Sequence, residues 1–462
     1  MTRLPTSVPG LDEILHGGLF EGGVYIFEGP PGAGKTTLAN QIAYAAHARA
    51  GKKTLYMTML AESHSRMVQH MSGQTFFDPN AVNASVIYIS GYREMEEQGL
   101  KAVVDLMRSE LSRHRAELFV VDGLVVENLA SRPEESIRQF VHGLQSLASA
   151  MGCTGLLLTS GNGRSLNAEQ TMVDGIFAFE DYIYQWRAER RIQVRKFRGS
   201  AVERGKHTFC ITKHGLRFFP RLEGLPVEDP PEARAHSAAV PSGVPALDAA
   251  LETGGLTPGS STLVVGDSGA GKTLLALAFA AQATSADPGL LFACSENAGE
   301  LCRLGQAFQL PVGALLDSGA LQIHGAGQED EGMDEMGHRL LRLAHELGAG
   351  RLVVDGLAGF ADTVAFPERG YRFIGRLVRE LKQRGITSLF TMDPTALSVA
   401  AGAPLAEGLL GWFDNVIDLS RPADGGNSAR SLGLRKLRGT RAQVGRIELT
   451  LGGPELPASG NS

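Results

Sequence analysis

A chain of 462 residues, 43% hydrophobic and 20% charged, has the balance of a folded protein with apolar material for more than one core. Its formal net charge of −6 argues against nucleic acid as the main partner, because such binding calls for a surplus of Lys and Arg against phosphate. Four cysteines with no C-x-x-C pair point to neither a zinc site nor a disulfide framework, and with no apolar leader or membrane-length run a cytoplasmic protein without a membrane partner is expected.

The opening segment SVPGLDEILHGGLFEGGVYIFEGPPGAGKTTLA (7–39) predicts a strand over GVYIF, a glycine-rich loop, and a helix over TTLANQIAYAAHA. Further strands follow at TLYMTM, SVIYIS, ELFVVD and TGLLLTS, with a helix over LKAVVDLMRSELSRH. The order then repeats. SGVPALDAALETGGLTPGSSTLVVGDSGAGKTLLA begins at Ser242, and strands are predicted at STLVVG, GLLFACS, LQIH, RLVVD and ITSLFTM. Lys35 and Lys272, Asp122 and Asp355, Asp174 and Asp414, and Lys196 and Lys436 are all separated by 233 to 240 residues, the mark of a duplicated domain. The expected organisation is a first α/β domain over 1–220, a linker over 221–241 rich in Pro, Ala and charge, a second domain over 242–452, and a flexible tail over 453–462. Each domain is read as a mostly parallel sheet flanked by helices.

Both loops fit G-x-x-x-x-G-K-[ST], whose backbone N–H groups converge on phosphate at a helix N-terminus. The candidates for holding ATP are Gly29, Pro31, Gly32, Ala33, Gly34, Lys35, Thr36 and Thr37 in the first copy. In the second they are Gly266, Ser268, Gly269, Ala270, Gly271, Lys272, Thr273 and Leu274. Asp122 and Asp355 each close an apolar strand, the Walker B arrangement, so Thr36 with Asp122 and Thr273 with Asp355 are the candidate ligands of Mg2+. A third feature also recurs: RRIQVRKFRG and SLGLRKLRG each end in Lys-x-Arg-Gly. Strand alternation places Ile192, Val194, Lys196 and Arg198 on one face, and Leu432, Leu434, Lys436 and Arg438 likewise.

The GLDEILHGG opening, both P-loops, both Walker B strands and RRIQVRKFRGS…HTFCITKHGLRFFP together resemble the KaiC-like ATPases, relatives of RadA and RecA. The resemblance spans nearly the whole chain. It implies two RecA-like P-loop domains, a double-ring homo-hexamer with ATP between subunits, and conformational signalling to a partner protein. It also implies that Lys196, Arg198, Lys436 and Arg438 act in trans on the γ-phosphate of a neighbouring subunit. The family carries adjacent glutamates after the second strand, one of them the general base. Here the pairs are Ala61-Glu62 and Ser295-Glu296, which leaves Glu62 and Glu296 as the acidic candidates. Neighbours on a strand point to opposite faces, so unless the chain turns there these carboxylates aim away from the water, and slow hydrolysis is expected. Leu410-Gly411 stand where the clock protein carries its phosphorylated Ser-Thr, which excludes an autokinase cycle at that position.

Three rival readings follow. One is a KaiC-type serine/threonine kinase. A second is a DNA-handling recombinase, drawn from eleven basic against two acidic residues between Tyr182 and Arg221, with Tyr182, Tyr184 and Trp186 as stacking groups. The third is a scaffold that binds ATP without hydrolysing it.

Overall fold

The structure is a computed structural model that describes residues 2–60, 64–124, 134–160, 172–184, 187–225, 239–325, 331–357, 359, 367–394, 405–421, 429–438 and 446–450. It divides into two units, Met1–Leu225 and Pro226–Ser462. The first opens with a short antiparallel pair, β1 (Arg3–Leu4) and β2 (Leu19–Phe20). Its large sheet is built from β3 (Val24–Glu28), β4 (Thr54–Thr58), β5 (Val86–Ser90), β6 (Leu118–Leu124), β7 (Thr154–Thr159), β8 (Gly175–Tyr184), β9 (Arg187–Phe197), β10 (Lys206–Thr212) and β11 (Gly215–Phe219). The spatial order is β11-β10-β9-β8-β3-β7-β6-β4-β5. The six strands from β8 to β5 run parallel, and β9 to β11 extend the sheet antiparallel.

Both faces of the parallel part are buried, which is why its strands are continuous apolar runs. Tyr25 and Phe27 point to one face with Leu38 and Ile42 of helix Lys35–Ala50. Val24 and Ile26 point to the other, with Val103 and Met107 of helix Leu100–His114 and Phe140 and Leu144 of helix Glu134–Met151. The packed chain runs on to Leu225, past the expected boundary, with Leu222 fully buried. Most of the expected linker, 226–238, and the expected tail lie outside the described residues.

The second unit repeats the plan with β12 (Ser261–Val265), β13 (Gly289–Ala293), β14 (Leu321–Gly325), β15 (Arg351–Asp355), β16 (Thr387–Met392), β17 (Asn415–Ser420), β18 (Ala429–Lys436) and β19 (Arg446–Thr450). Its order is β14-β13-β15-β16-β12-β17-β18-β19, the same succession of matching strands, with β18 and β19 antiparallel. In each sheet one strand, β7 or β16, separates the strand that leads into the P-loop from the strand that carries the Walker B aspartate. Phosphate loop and carboxylate therefore emerge side by side at the carboxyl edge of the sheet, where ligands of open parallel sheets collect. No helix among the described residues is long and apolar enough to cross a membrane.

Candidate functional site

The two P-loops are built alike. Gly34 and Gly271, each directly before the lysine, are left-handed (φ 94° and 104°), a conformation that favours glycine. Gly29 lies so close to β8 that a Cβ there would stand 2.6 Å from the Phe179 carbonyl oxygen. Helices begin at Lys35 and Lys272. Lys35 Nζ donates to the carbonyls of Gly29 (2.7 Å) and Pro30 (2.8 Å), and Lys272 Nζ to those of Gly266 (2.7 Å) and Asp267 (2.9 Å). Each ammonium thus folds back over its own loop. Burial lowers the Lys35 pKa, against the opposing pull of Asp122.

The Walker B carboxylates are both buried and differently held. Thr36 Oγ1 and Tyr56 OH donate to Asp122 Oδ2 at 2.8 and 2.7 Å. In the second copy Thr391 Oγ1 donates to Asp355 Oδ1 at 2.5 Å, while Asp355 Oδ2 is buried with no hydrogen-bond partner. Burial raises the pKa of both aspartates. It is opposed at Asp122 by Tyr56, Thr36 and Lys35, and at Asp355 by Thr391, Thr273 and Lys272. A threonine hydroxyl beside a buried carboxylate, one of whose oxygens lacks a donor, fits a magnesium ion that keeps most of its water. Thr36 with Asp122 and Thr273 with Asp355 are the residues that would hold it.

Glu62 lies outside the described residues. Glu296 does not follow the strand alternation of its neighbours, because β13 ends at Ala293 and the chain bends. The cause is local: Asn297 caps helix Ala298–Ala307 in a reciprocal capping box with Glu300. Ser295 is left exposed, whereas Glu296 is half-buried. Burial raises the Glu296 pKa, and the negative charge of Asp355 adds to it. The sequence held the signal, Asn-x-x-Glu, four residues past the strand.

The Lys-x-Arg ends depart from simple alternation. Ile176 pairs with Lys196 but Phe177 pairs with Val194, so Arg195 is an extra residue in β9. Val416 pairs with Lys436 and Ile417 with Leu434, which makes Arg435 the same bulge in β18. The phase slips by one: Ile192, Val194 and Phe197 pack on the core, as do Leu432, Leu434 and Leu437. Lys196 and Lys436 therefore leave the apolar face, and the shared face expected from period two is corrected by a bulge in both copies. Arg198 and Arg438 are exposed. Arg198 Nη1 donates to the Met172 carbonyl (3.2 Å), and its backbone N–H to that of Asp174 (2.7 Å), beside Val24 at the start of β3. Lys436 Nζ donates to the carbonyls of Leu410 (2.9 Å) and Phe413 (2.7 Å), anchoring the Leu410-Gly411 segment. Burial and the neighbouring arginine lower the pKa of both lysines.

Much of the basic window is spent inside the first unit. Arg191 is buried against Glu189, which also accepts from Tyr182 OH at 2.7 Å, and Arg191 lies over the Tyr182 ring. Arg195 pairs with the buried Glu28 and Lys206 with Glu180. Tyr182 is thus not a free stacking platform, and Trp186 lies outside the described residues. Sequence reasoning missed Tyr56, Thr391 and Glu28, each of which reaches its partner across strands.

A family model described as the KaiC ATPase matches residues 4–223 and again 240–454. Relatives include circadian clock oscillator proteins KaiC. That of a Picosynechococcus species is 24% identical over 97% of this chain and 88% of its own length. Those of Rippkaea orientalis and Acaryochloris marina are each 24% identical over 99% of this chain, and over 89% and 88% of their own lengths.

Proposed function

The chain belongs to the KaiC ATPase family, and from that premise we propose that it is an oligomeric, hexameric switch that binds ATP and hydrolyses it slowly, in the cytoplasm, its nucleotide state read by a partner protein. The observation that carries this reading is the distance within one subunit between the P-loop and the Lys-x-Arg end. Arg198 lies beside Val24 and Gly29 lies five residues further on, roughly 17 Å at ~3.3 Å per residue. An arginine there is out of reach of its own phosphate loop and stands where a neighbour's loop could meet it. A site completed by the next subunit links hydrolysis to assembly, which is what a switch requires.

In this reading the P-loop amides with Lys35 or Lys272 hold the phosphates. Magnesium, when bound by Thr36 with Asp122 and Thr273 with Asp355, would neutralise phosphate charge as the bond to ADP breaks. Glu296, and Glu62 by its place in the sequence, accept the proton of the water whose oxygen attacks the γ-phosphorus, with ADP leaving. Lys196, Arg198, Lys436 and Arg438 stabilise the developing charge from the adjacent subunit. Slow turnover follows from one carboxylate where the family pattern has two, since Ala61 and Ser295 supply no base. The deciding experiment is turnover measured beside size-exclusion chromatography with and without MgATP. ATP-dependent assembly with slow phosphate release is expected. Assembly with no release at all identifies the ATP-dependent scaffold instead, and no assembly refutes the switch.

A further inference from the structure

Strand β16 and the residue that follows it bring two polar side chains to the second site. Thr391 Oγ1 donates to Asp355 Oδ1, and two residues further on Asp393 Oδ2 lies 3.8 Å from Lys272 Nζ. Asp393 directly follows the last residue of β16, which is hydrogen-bonded to both β12 and β15. Asp393 therefore reaches the P-loop lysine from the end of the strand that also secures the Walker B carboxylate. Lys272 already donates to two loop carbonyls, so its charge is shared among three oxygens.

The first copy lacks this charge. There β7 occupies the matching place between β3 and β6, with Leu158 in the position of Thr391 and Ser160 in that of Asp393. Lys35 makes its loop-carbonyl bonds, and no carboxylate among the described residues forms an ion pair with it. A carboxylate 3.8 Å from the P-loop lysine is thus one difference between the two sites.

We propose that Asp393 is a specificity-determining residue of the second nucleotide site: its carboxylate competes with the terminal phosphate for Lys272, so that this site favours a triphosphate over a diphosphate less than the first site does. The inference rests on the reading of the second P-loop as a nucleotide site. Like charges a few ångströms apart in a partly desolvated cleft repel strongly, and a triphosphate brings more charge to that end than a diphosphate. Asp393 holds the lysine while no terminal phosphate demands it, and opposes the group that does.

The test uses the full chain with Lys35→Ala, which silences the first site, titrated with fluorescent ADP and with a non-hydrolysable ATP analogue. Asp393→Asn should raise the ratio of analogue to ADP affinity by about fivefold or more. The converse variant, Ser160→Asp in a Lys272→Ala chain, should lower that ratio at the first site. It carries the test by itself if Asp393→Asn does not fold. Both nucleotides bound with an unchanged ratio would overturn the proposal and leave the nucleotide reading intact, as would a variant that slows turnover alone. Neither nucleotide bound by the Lys35→Ala chain overturns the nucleotide reading and the proposal together.

Discussion

Removing Arg198 and Arg438 should abolish turnover while sparing ATP binding, and the loss should be repairable by a second, differently damaged subunit. Within one unit Arg198 and the P-loop stand at opposite ends of β3, and the side chain spans less than half of that separation. An arginine acting on transition-state charge contributes about 10³-fold or more to turnover, whereas ground-state binding rests on the P-loop and its lysine. Arg198→Ala Arg438→Ala should therefore hold ATP with nearly unchanged affinity and hydrolyse it about a thousandfold more slowly. Mixed with Lys35→Ala Lys272→Ala subunits, interfaces that join an intact P-loop to an intact arginine form again. Random equimolar rings contain about one such interface in four, so about a quarter of the parent activity should return. The assay is steady-state phosphate release from mixtures of the two inactive chains. Absence of rescue in oligomers shown to contain both chains refutes donation in trans.

Four further outcomes follow from the sites. Lys35→Ala and Lys272→Ala should each abolish the MgATP thermal shift of their own unit, and a shift that survives the double substitution removes the two-site reading. Glu296→Gln should slow the second site and Ser295→Glu should speed it, read as phosphate release in a Lys35→Ala chain. Indifference to Glu296→Gln moves the base elsewhere. Glu28→Gln weakens a buried carboxylate's pairing with Arg195 and should cost the first unit roughly 1–3 kcal/mol in chemical denaturation. Asp355→Asn should stabilise the nucleotide-free second unit and eliminate its magnesium-dependent shift. The raised Asp355 pKa means that the folded chain binds this proton more readily than the unfolded one. Its contribution to stability is fully present below the ordinary value of 3.8 and is lost as pH rises through the raised pKa. The parent and Asp355→Asn melting temperatures should hence converge as pH falls from 7 toward 4, and a gap that widens on acidification contradicts this sign.

The repeat, the strands and the loops were legible because their determinants are local. An apolar run such as Val24–Glu28 bounded by glycine reads the same in isolation as in the sheet, and the helix over Leu100–His114 shows its buried positions as an i, i+3, i+4, i+7 stripe. The turn at Glu296 left a local signal too, the capping box at Asn297 and Glu300, although the reading of alternation left that turn open. The bulges at Arg195 and Arg435 were not. Nothing in RRIQVRKFRG marks an extra residue, because a bulge is a property of the register between β8 and β9. The pairing within the basic window was not legible for the same reason: antiparallel strands bring Glu180, outside the window, and Glu189 against its cations.

The buttressing of the Walker B carboxylates shows where a repeat stops predicting structure. Each aspartate is buried, so each needs a donor, and the requirement is identical in the two copies. The first meets it from β4, with Tyr56 standing 66 residues before Asp122; the second meets it from β16, with Thr391 standing 36 residues after Asp355. Leu158 fills the place of Thr391 in one copy, and β13 offers no tyrosine in the other. Since either neighbouring strand can supply the hydroxyl, the duplication carries over the demand without carrying over its solution. The choice also has a chemical consequence. Tyr56 and Thr36 converge on one oxygen of Asp122, whereas Thr391 engages Oδ1 of Asp355 and leaves Oδ2 without a donor. Two sites that share the same P-loop pattern thus present differently prepared carboxylates, and unequal magnesium dependence of the two units is the expected result.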